Sequence, residues 1–556
     1  MYKHCNSSYR ANRSFLFGIA AFITLFYSCA QVVTPGGGKK DIIPPRVTKY
    51  QPDSAQLNFN SKTIQINFDE YVQLKDLNNQ LIISPPLKTT PDISIKNKTL
   101  TLVFDKKDTL KPNTTYGISF GNSVQDITEN NPIDNFKYLF STGSYIDSCS
   151  LKGKVELGFN HSVEKGVMVM LYSHFDDSIV YKQLPDYFAK TKDDGSFQIS
   201  NVKNGKYKLV VLKDANSNYK YDGESESIGF IDEAIDITKN EKVLVELFQE
   251  IPKKLFLKKN MYDSYGKILF VFNKAADSIQ INPIDFTFKD NDVLLQYSRN
   301  KDSLTYWFRG IDKEVLKLQL KNGNKILDTL EYKLITKEDA LKSKRNKLGL
   351  YLTNNFSGNQ ALDLNTVFNF QLSQPIQKVG EYLFLRADTS LVKSKIETSS
   401  SITGRDNFFK PYDVKLKEST KYHFLIPAGT FTDFFGLTND SIKIDFKTQE
   451  EKYYGTVKLK LNVPSEKGQY ILQLLDDKEN IVRQTIIDAT QTILFDYLHP
   501  QQYKLKIIVD DNKNGKWDTG NYLKKQQPEK VIYYTGNITI RSNWDLDLEW
   551  KLSAEK

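Results

Sequence analysis

Cysteine and histidine are scarce in this chain, and their positions exclude several kinds of site. Of the 556 residues, three are cysteine and five are histidine. Cys5 and Cys29 lie near the N-terminus, which leaves Cys149 as the single cysteine of the remaining sequence. One cysteine cannot form a disulfide between body domains or supply the thiolates of a zinc cluster. The histidines show no spacing that places two on one face, so we expect no Cys/His metal centre.

Helical periodicity and the common catalytic motifs are also missing. After residue 28 the sequence contains no heptad repeat and no long amphipathic pattern. It contains no glycine-rich phosphate loop after a strand, no His-Glu-x-x-His and no Gly-x-Ser-x-Gly. We therefore expect no catalytic residues and no enzymatic activity.

The charge is mixed and shows no strong bias. The formal net charge is +9, and the first 28 residues hold three basic and no acidic residues, so their removal lowers it to +6. The lysines are scattered, which is typical of solvated strand faces and of edges protected against pairing. A nucleic-acid-binding surface needs a basic stripe with interleaved aromatics. None is present, so we expect no nucleic-acid partner.

What the sequence does contain is typical of β-structure. It has 31 Tyr and 34 Phe together with abundant Thr, Ile and Val, the residues that suit a pleated, half-buried surface. The length exceeds what one core can hold, and about 100–150 residues per domain gives four or five domains. The composition predicts an all-β fold built from tandem β-sandwiches.

The N-terminal segment is predicted to target and anchor the protein. Lys3, Arg10 and Arg13 precede a short apolar stretch that ends at Ser28. About 13 apolar residues are too few to span a bilayer and are typical of a secretory signal. Ser28-Cys29 resembles the lipobox of bacterial lipoproteins, although Phe26 and Tyr27 depart from the common pattern. The alternative is an ordinary signal peptide or membrane anchor in which the cysteine is incidental.

The lipobox resemblance implies that Cys29 begins the mature chain and carries lipid. Residues 1–28 are then a lipoprotein signal peptide, and residues 29–45 form a tether that includes three consecutive glycines. A glycine-rich spacer lets an anchored domain stand clear of the lipid headgroups.

Residues 46–143 show strand patterns and one family resemblance. Thr63–Phe68 alternates between apolar and polar residues, and so does Thr99–Leu102. Three short elements characterise the segment, and they are Phe68-Asp69-Glu70-Tyr71-Val72, Leu110-Lys111-Pro112-Asn113-Thr114-Thr115-Tyr116 and Phe140-Ser141-Thr142-Gly143. In these elements the segment resembles the SbsA-type bacterial Ig-like domains.

Part of this domain recurs later in the chain. Leu416–Tyr422 repeats the first turn, and Tyr422 and Phe446 have the same 24-residue separation as Tyr116 and Phe140. Residues 348–449 are therefore predicted to form a second Ig-like domain, with an early strand at Thr366–Leu372.

A different repeat opens at Gly153 and again at Gly455. Both units contain Glu-Lys-Gly, at residues 164–166 and 466–468, and both reach Tyr-Lys-Leu before an Asp/Asn loop. The succession resembles carboxypeptidase-regulatory-like (transthyretin-like) β-sandwiches, here at residues 144–250 and 450–556. Residues 251–347 between the repeats are assigned a further β-sandwich. Its end, from Lys337 to Lys347, is a linker or a short helix.

Two matched Asp/Asn loops are the candidate metal sites. Oxygen-bearing side chains stand at positions one, three, five and nine of each loop, namely Asp214, Asn216, Asn218, Asp222, Asp510, Asn512, Asn514 and Asp518. This spacing resembles the start of a calcium loop, since Ca²⁺ requires six to eight oxygens at about 2.3–2.6 Å. Gly515 stands at the sixth position of the second loop, where a calcium loop turns sharply.

Neither loop has the usual glutamate at position twelve. Ser225 and Asn521 stand there, and Glu224 and Glu226 are available to compensate in the first loop only. The alternative is that Asp and Asn serve only as turn formers. In either case the expected role is to stiffen a hairpin.

Other polar and aromatic candidates are weaker. Asp69 and Glu70 are neighbours on a strand and point to opposite faces. Asp126, Glu129 and Asp134 are interpreted as a solvated loop. The four tryptophans are either buried or form exposed sugar-binding platforms, and they are Trp307, Trp517, Trp544 and Trp550.

Together these features resemble the Ig-like-domain lipoproteins of Bacteroidota. That resemblance implies an outer-membrane lipoprotein held by its N-terminal lipid, with the cell-surface and periplasmic faces both open. The expected function is a non-enzymatic scaffold of sandwiches in series that binds other envelope proteins. No cofactor is expected except Ca²⁺, if the two Asp/Asn loops bind it. The alternative is a surface glycan-binding or adhesion lipoprotein, for which the four tryptophans should cluster in the open.

Overall fold

The computed structural model confirms an all-β protein. It describes residues 41–107, 109–239, 242–343, 348–354, 361–366, 370–380, 382–387, 390–395, 408–409, 416–464 and 468–552. These residues form two compact units. The first comprises the chain up to Ile83 together with Leu87–Ile146, and the second comprises Ser84–Pro86 and the chain from Asp147 onward.

The first unit contains nine strands and one short helix in the described residues. They are β1 Val47–Gln51, β2 Thr63–Phe68, β3 Val72–Leu74, α1 Leu77–Gln80, β4 Ile82–Ser84, β5 Asp92–Lys96, β6 Thr99–Val103, β7 Thr115–Gly121, β8 Val124–Asp126 and β9 Phe136–Ser141. The sheets have the orders β1-β2-β6-β5, β4-β7-β9 and β3-β8.

Alternation in β2 explains why these strands form a sandwich. Ile64, Ile66 and Phe68 are buried while the residues between them are exposed or half-buried, so one face of the strand enters the core. Ile66 pairs with Leu100 of β6, which is fully buried on the same side. The predicted strands at Thr63–Phe68 and Thr99–Leu102 are confirmed.

The second unit begins with a sandwich formed by residues between Asp147 and Glu250. Its elements are β10 Cys149–Leu157, β11 Met168–Tyr172, α2 Ile179–Lys182, β12 Tyr187–Lys190, β13 Ser196–Val202, β14 Lys206–Lys213, β15 Ser227–Phe230, β16 Ile235–Asp236, a 3-10 helix Ile237–Lys239 and β17 Lys242–Gln249. The strand order is β12-β11-β14-β15-β17-β10-β13, in which β10 and β17 are parallel.

The next segment forms a smaller sandwich followed by a short helix. Its elements are β18 Leu257–Ser264, β19 Lys267–Phe272, β20 Ile279–Pro283, a 3-10 helix Asp290–Asp292, β21 Val293–Tyr297, β22 Ser303–Phe308, β23 Val315–Asn322, β24 Lys325–Lys333 and α3 Lys337–Lys342. The side chain of Thr336 accepts a hydrogen bond from the Asp339 N–H and caps α3. The segment from Lys337 to Lys347, for which a linker and a short helix were both open, therefore begins with a helix.

The strands that follow have a pairing pattern similar to that of the first unit, with differences at the sheet edges. They are β25 Leu352–Asn354, β26 Phe370–Leu372, β27 Ile376–Val379, β28 Tyr382–Ala387, β29 Ser390–Lys395, β30 Phe408–Phe409, β31 Lys421–Ile426, β32 Phe431–Asp433 and β33 Ile442–Lys447. Their sheets are β25-β26-β30, β29-β28-β31-β33 and β27-β32. The strand predicted at Thr366–Leu372 lies partly outside the described residues.

The last sandwich has the strand order of the first sandwich in the second unit. After a 3-10 helix Glu451–Tyr453 its strands are β34 Gly455–Asn462, β35 Gln469–Leu475, β36 Ile481–Ile487, β37 Gln491–Leu498, β38 Gln502–Asp510, β39 Val531–Tyr533, β40 Ile538–Thr539 and β41 Asp545–Lys551. The sheets are β37-β34-β41 and β36-β35-β38-β39, and β34 and β41 are parallel, as β10 and β17 are.

The second unit is not a simple series of sandwiches, because its first and last sandwiches contact each other. The Tyr522 N–H donates to Glu250 Oε1 at 2.6 Å, and the Thr519 hydroxyl donates to the Gln249 carbonyl at 2.8 Å. Phe159 packs edge-on against Trp517 with ring centroids 5.2 Å apart.

Candidate functional site

The first Asp/Asn loop joins β14 to β15 and is held together by one carboxylate. Asp214 Oδ1 accepts the backbone N–H groups of Asn216 and Ser217 at 3.1 and 2.7 Å, and Oδ2 accepts that of Tyr219 at 2.7 Å. The Asn216 and Asn218 amides both donate to Asp222 Oδ2, at 2.6 and 2.8 Å. The four predicted residues therefore converge within one hydrogen-bonded loop.

The second loop follows β38 and repeats this geometry. Asp510 is fully buried, and its two carboxylate oxygens accept the N–H groups of Asn514 at 3.0 Å and Gly515 at 2.7 Å. The amides of Asn512 and Asn514 both donate to Asp518 Oδ2, the latter at 2.5 Å. The sequence match between the loops therefore extends to their side-chain contacts.

A buried glutamate outside each nine-residue stretch closes the loop. Glu226 accepts the Ala215 and Asp222 N–H groups, one on each carboxylate oxygen, both at 2.9 Å. Glu529 accepts the equivalent Asp511 and Asp518 N–H groups at 3.0 and 2.9 Å. The prediction that only the first loop has a glutamate to replace the missing ligand at position twelve is therefore wrong. The sequence spacing does not indicate Glu529, because it follows Asp510 by 19 residues, whereas Glu226 follows Asp214 by 12.

Left-handed backbone at the sixth loop position is shared by both loops. Gly515 has φ 78°, as a sharp turn requires. Tyr219 adopts φ 62° at the same position although it carries a side chain, and its ring packs edge-on against Phe188 at 4.9 Å. This ring contact is one interaction that holds the first loop in a conformation that glycine adopts without strain.

Beside both loops lies the contact between the first and last sandwiches of the second unit. Glu250 Oε2 accepts the Tyr221 hydroxyl at 2.9 Å, while its other oxygen binds the Tyr522 backbone. Lys506 Nζ lies 3.4 Å from the Phe159 ring centroid, and burial lowers the pKa of Lys506 to about 8. The loops therefore flank an aromatic and charged interface.

A third polar cluster joins the second Ig-like segment to the last sandwich. His499 Nε2 lies 2.9 Å from both carboxylate oxygens of Asp363, and the Tyr454 hydroxyl donates to Asp363 Oδ1 at 2.7 Å. The hydrogen bond to Asp363 raises the pKa of His499. Burial opposes ionisation of Asp363, but bonds from His499 and Tyr454 lower its pKa overall.

The remaining sequence candidates fall in different environments. Cys29 lies outside the described residues, and Cys149 is half-buried without a disulfide among them. Asp126 is 2% exposed, so the solvated-loop interpretation is wrong for this residue. Its carboxylate accepts the N–H groups of Glu129, Asn130 and Asn131.

The tryptophans do not form one exposed platform. Trp307 and Trp550 are buried, and Trp517 is half-buried against Phe159. Trp544 is 49% exposed. The open cluster of four rings required by the glycan-binding alternative is therefore absent from the described structure.

The described residues contain neither a cluster of acidic, histidine and cysteine ligands for a metal nor a membrane-spanning helix. No group of three or more His, Cys, Asp or Glu side chains there could hold a metal ion, a criterion that leaves the loop asparagines aside. No helix in the same part of the chain is long and apolar enough to cross a membrane.

Comparison with known proteins identifies one domain. Residues 41–142 match a family model described as a bacterial Ig-like domain (Big_5). Apart from Ser84–Pro86, the family match lies within the first unit, and it agrees with the resemblance carried by the Leu110–Tyr116 turn. No curated protein matches the chain.

Solved structures align with this chain at low identity. The S-layer protein rSbsC is 12% identical over 89% of this chain and 67% of its own, with a TM-score of 0.15. BcpA(D312A), the major pilin subunit of Bacillus cereus, is 10% identical over 73% of this chain and 99% of its own, with a TM-score of 0.14. The Bacillus anthracis TIE protein is 10% identical over 93% and 76%, also with a TM-score of 0.14.

Proposed function

We propose that this protein is a non-enzymatic lipoprotein, anchored in the outer membrane through lipid on Cys29, that serves as a scaffold for other envelope proteins. The observation that carries the proposal is the repeated use of two sandwich types with open sheet edges. An open edge offers unpaired backbone groups to a partner strand, and the flanking side chains give specificity.

The last sandwich offers one such edge. Among the described strands, β36 pairs with β35 alone, and it exposes Ile481 and Ile486. Exposed aliphatic side chains beside an unpaired strand edge suit pairing with another protein. A more specific form of the proposal is an accessory subunit of an outer-membrane assembly or export machine.

Purification of the intact protein from detergent-solubilised membranes tests the scaffold proposal. We expect the native chain to retain reproducibly an outer-membrane barrel protein, and a Cys29→Ser variant to lose membrane association. Recovery of the native chain without any reproducible barrel partner would contradict the proposal. Membrane retention of the Cys29→Ser variant would contradict lipid anchoring.

We also propose that the two Asp/Asn loops bind Ca²⁺. Support comes from their common geometry and from the two glutamates that add carboxylates beside the loops. To bind the ion, the asparagine side chains must turn so that Oδ1 instead of Nδ2 faces the centre of each loop. This turn breaks the hydrogen bonds that the amides now donate to Asp222 in the first loop and to Asp518 in the second. The ion would then stiffen the hairpin, with the affinity of an extracellular site, about 10⁻⁴–10⁻³ M.

Melting of the full mature chain tests calcium binding. At a concentration ten times the Kd, Ca²⁺ should stabilise the folded state by about 1.4 kcal/mol for each loop that it occupies. This should be seen as a rise in melting temperature that a chelator reverses. Asp510→Asn combined with Asp518→Asn should reduce the rise, while Asp547→Asn, an exposed substitution on β41, should leave it unchanged. No rise at millimolar Ca²⁺ in the native chain would refute the proposal.

A further inference from the structure

A groove lies between the second Ig-like segment and the last sandwich of the second unit. Its volume is 440 Å³, and Trp544, Tyr497, Asp496 and Asp545 line it together with Glu418 and Glu451. The tryptophan ring is about half exposed, and Asp496 and Asp545 are exposed as well. The groove therefore combines an accessible aromatic surface with carboxylates.

Backbone contacts hold Trp544 at this place. The Thr456 N–H donates to the Trp544 carbonyl at 2.9 Å, and the Asn543 N–H donates to the Tyr454 carbonyl at 2.8 Å. A Cβ on Gly455 would lie 2.7 Å from that tryptophan carbonyl, so only glycine allows the two segments to approach so closely. The tryptophan is thus presented by backbone hydrogen bonds and close packing.

The charge of the groove differs from that of the chain. Four carboxylates line it, from Glu418, Glu451, Asp496 and Asp545, whereas Lys452 is the single basic side chain of the lining. Asp496 and Asp545 are both exposed, so their carboxylates are accessible to a partner. In a protein of net charge +9, this is a local acidic site that favours a cationic occupant.

The tryptophan ring already contacts a guanidinium. The Arg541 guanidinium carbon lies 5.4 Å from the Trp544 ring centroid, which is within the range of a cation–π contact. Arginine also pairs with carboxylates through two parallel hydrogen bonds, whereas lysine acts as a point charge. A guanidinium therefore suits both the ring and the carboxylates of the groove.

We propose that this groove binds an arginine-bearing basic segment of a partner protein. One guanidinium stacks on Trp544, and others pair with Asp496 and Asp545. The proposal rests on the scaffold function, for which it supplies the chemistry of a partner. Arg541 competes for the same ring and weakens binding.

Titration with a hexa-arginine peptide, followed by tryptophan fluorescence of the full mature chain, tests the proposal. We expect saturable binding that weakens with added salt, because exposed charges are screened over about 8–10 Å at physiological ionic strength. Hexa-lysine should bind more weakly, and hexa-glutamate should not bind. A neutral oligosaccharide that changes Trp544 fluorescence when hexa-arginine does not would overturn the proposal in favour of glycan binding.

Matched variants locate the binding. Asp496→Asn combined with Asp545→Asn should weaken hexa-arginine binding at least tenfold, and so should Trp544→Ala when binding is followed by calorimetry. Asp547→Asn, two residues along β41, should have no effect, and Arg541→Ala should tighten binding. Equal affinities for all these variants would show that the peptide binds elsewhere and would refute the proposal.

Comparison with the purification experiment separates this inference from the scaffold function. If a barrel partner is recovered equally with the groove variants and hexa-arginine does not bind, the groove proposal fails and the scaffold function stands. If no partner is recovered but hexa-arginine binds as expected, the scaffold function fails and the groove remains a site for basic peptides.

Discussion

At the scale of single residues, an aspartate at the same place in both Ig-like segments differs in how its charge is satisfied. Asp126 ends β8, and Asp433 ends the corresponding β32. Burial opposes ionisation of Asp126, but hydrogen bonds from backbone N–H groups lower its pKa overall. Asp433 is fully buried with no partner for Oδ2 in the described structure, and burial raises its pKa.

Substitution of these two aspartates should have different effects at neutral pH. Asp126→Asn replaces a charged acceptor of three N–H bonds and should destabilise its loop by about 1–3 kcal/mol. Asp433→Asn removes a carboxyl group whose ionised form is disfavoured by burial, so its cost should be smaller. Hydrogen exchange of the amides at residues 129–131 and 435–437 gives the measurement.

The pH dependence of the same exchange has opposite signs at the two positions. The pKa of Asp126 is lowered by folding, so its contribution to stability is present at neutral pH and is lost as the pH falls through the folded value. The pKa of Asp433 is raised, so its loop should become more stable as the pH falls. Identical responses of the two loops would contradict this account.

At the scale of structural elements, the repeated turn of the Ig-like segments is a tyrosine-centred corner. The Lys111 N–H donates to the Tyr116 hydroxyl at 2.8 Å, and the Lys417 N–H donates to the Tyr422 hydroxyl at 2.9 Å. The two residues that are 24 positions apart in each segment face each other on neighbouring strands. Tyr116 pairs with Phe140 in register and stacks on it at 5.2 Å, as Tyr422 does on Phe446 at 5.3 Å.

A pH-dependent ion pair between His499 and Asp363 lies just after the end of β37. His499 and Asp363 join the last sandwich to the second Ig-like segment, and Tyr454, Tyr453 and Arg483 also face this pair. Because the pKa of His499 is raised above its ordinary 6.5, the stabilisation is full below that value and is lost as the pH rises through the folded pKa. Because the pKa of Asp363 is lowered from 3.8, its part is lost only in acid.

Titration of the histidine ring proton by NMR checks this link. We expect a pKa above 6.5 for His499 in the native chain and a lower value in Asp363→Asn. Asp445→Asn, which removes the partner of His423, should leave the titration of His499 unchanged. An unchanged pKa in Asp363→Asn would mean that the carboxylate is not the cause. Both side chains are partly exposed, so the effect on overall stability should be small.

At the scale of the whole second unit, Tyr522 joins sandwiches that are far apart in sequence. It follows its hydrogen-bond partner Glu250 by 272 residues and is 2% exposed. Its ring contacts those of Tyr181, Tyr221 and Phe230, with centroids 5.4–6.4 Å apart. Long-range aromatic packing of this kind contributes both burial and specific geometry.

Replacement of Tyr522 should uncouple the first and last sandwiches. Tyr522→Ala removes a buried ring and should cost about 3–5 kcal/mol at the contact, by analogy with other large aromatic truncations. Calorimetry of the full chain should then show these sandwiches unfolding in separate transitions. Leu523→Ala, at a neighbouring exposed position, is the control and should leave the profile unchanged. An unaltered profile for Tyr522→Ala would show that the contact does not couple the sandwiches.

Local patterns in the sequence are sufficient to predict features that depend on neighbouring residues. Alternation placed strands such as Thr63–Phe68, because a period of two is visible in consecutive residues. Spacing matched the tyrosine corners, the paired sandwich types and the two Asp/Asn loops, since each depends on short segments. The lipobox at Cys29 also belongs to this group, as a prediction.

Contacts between residues that are far apart in the sequence become visible only in the folded protein. It placed Glu529 on the second loop, buried Asp126, put Tyr522 against the first sandwich and brought carboxylates around Trp544. The contacts of Glu529, Tyr522 and Trp544 leave no period or spacing in the sequence, because each joins separate strands or loops. The hydrogen bonds of Asp126, by contrast, lie within one loop. Packing between sandwiches therefore determines the candidate partner site, while the local pattern determines the sandwiches themselves.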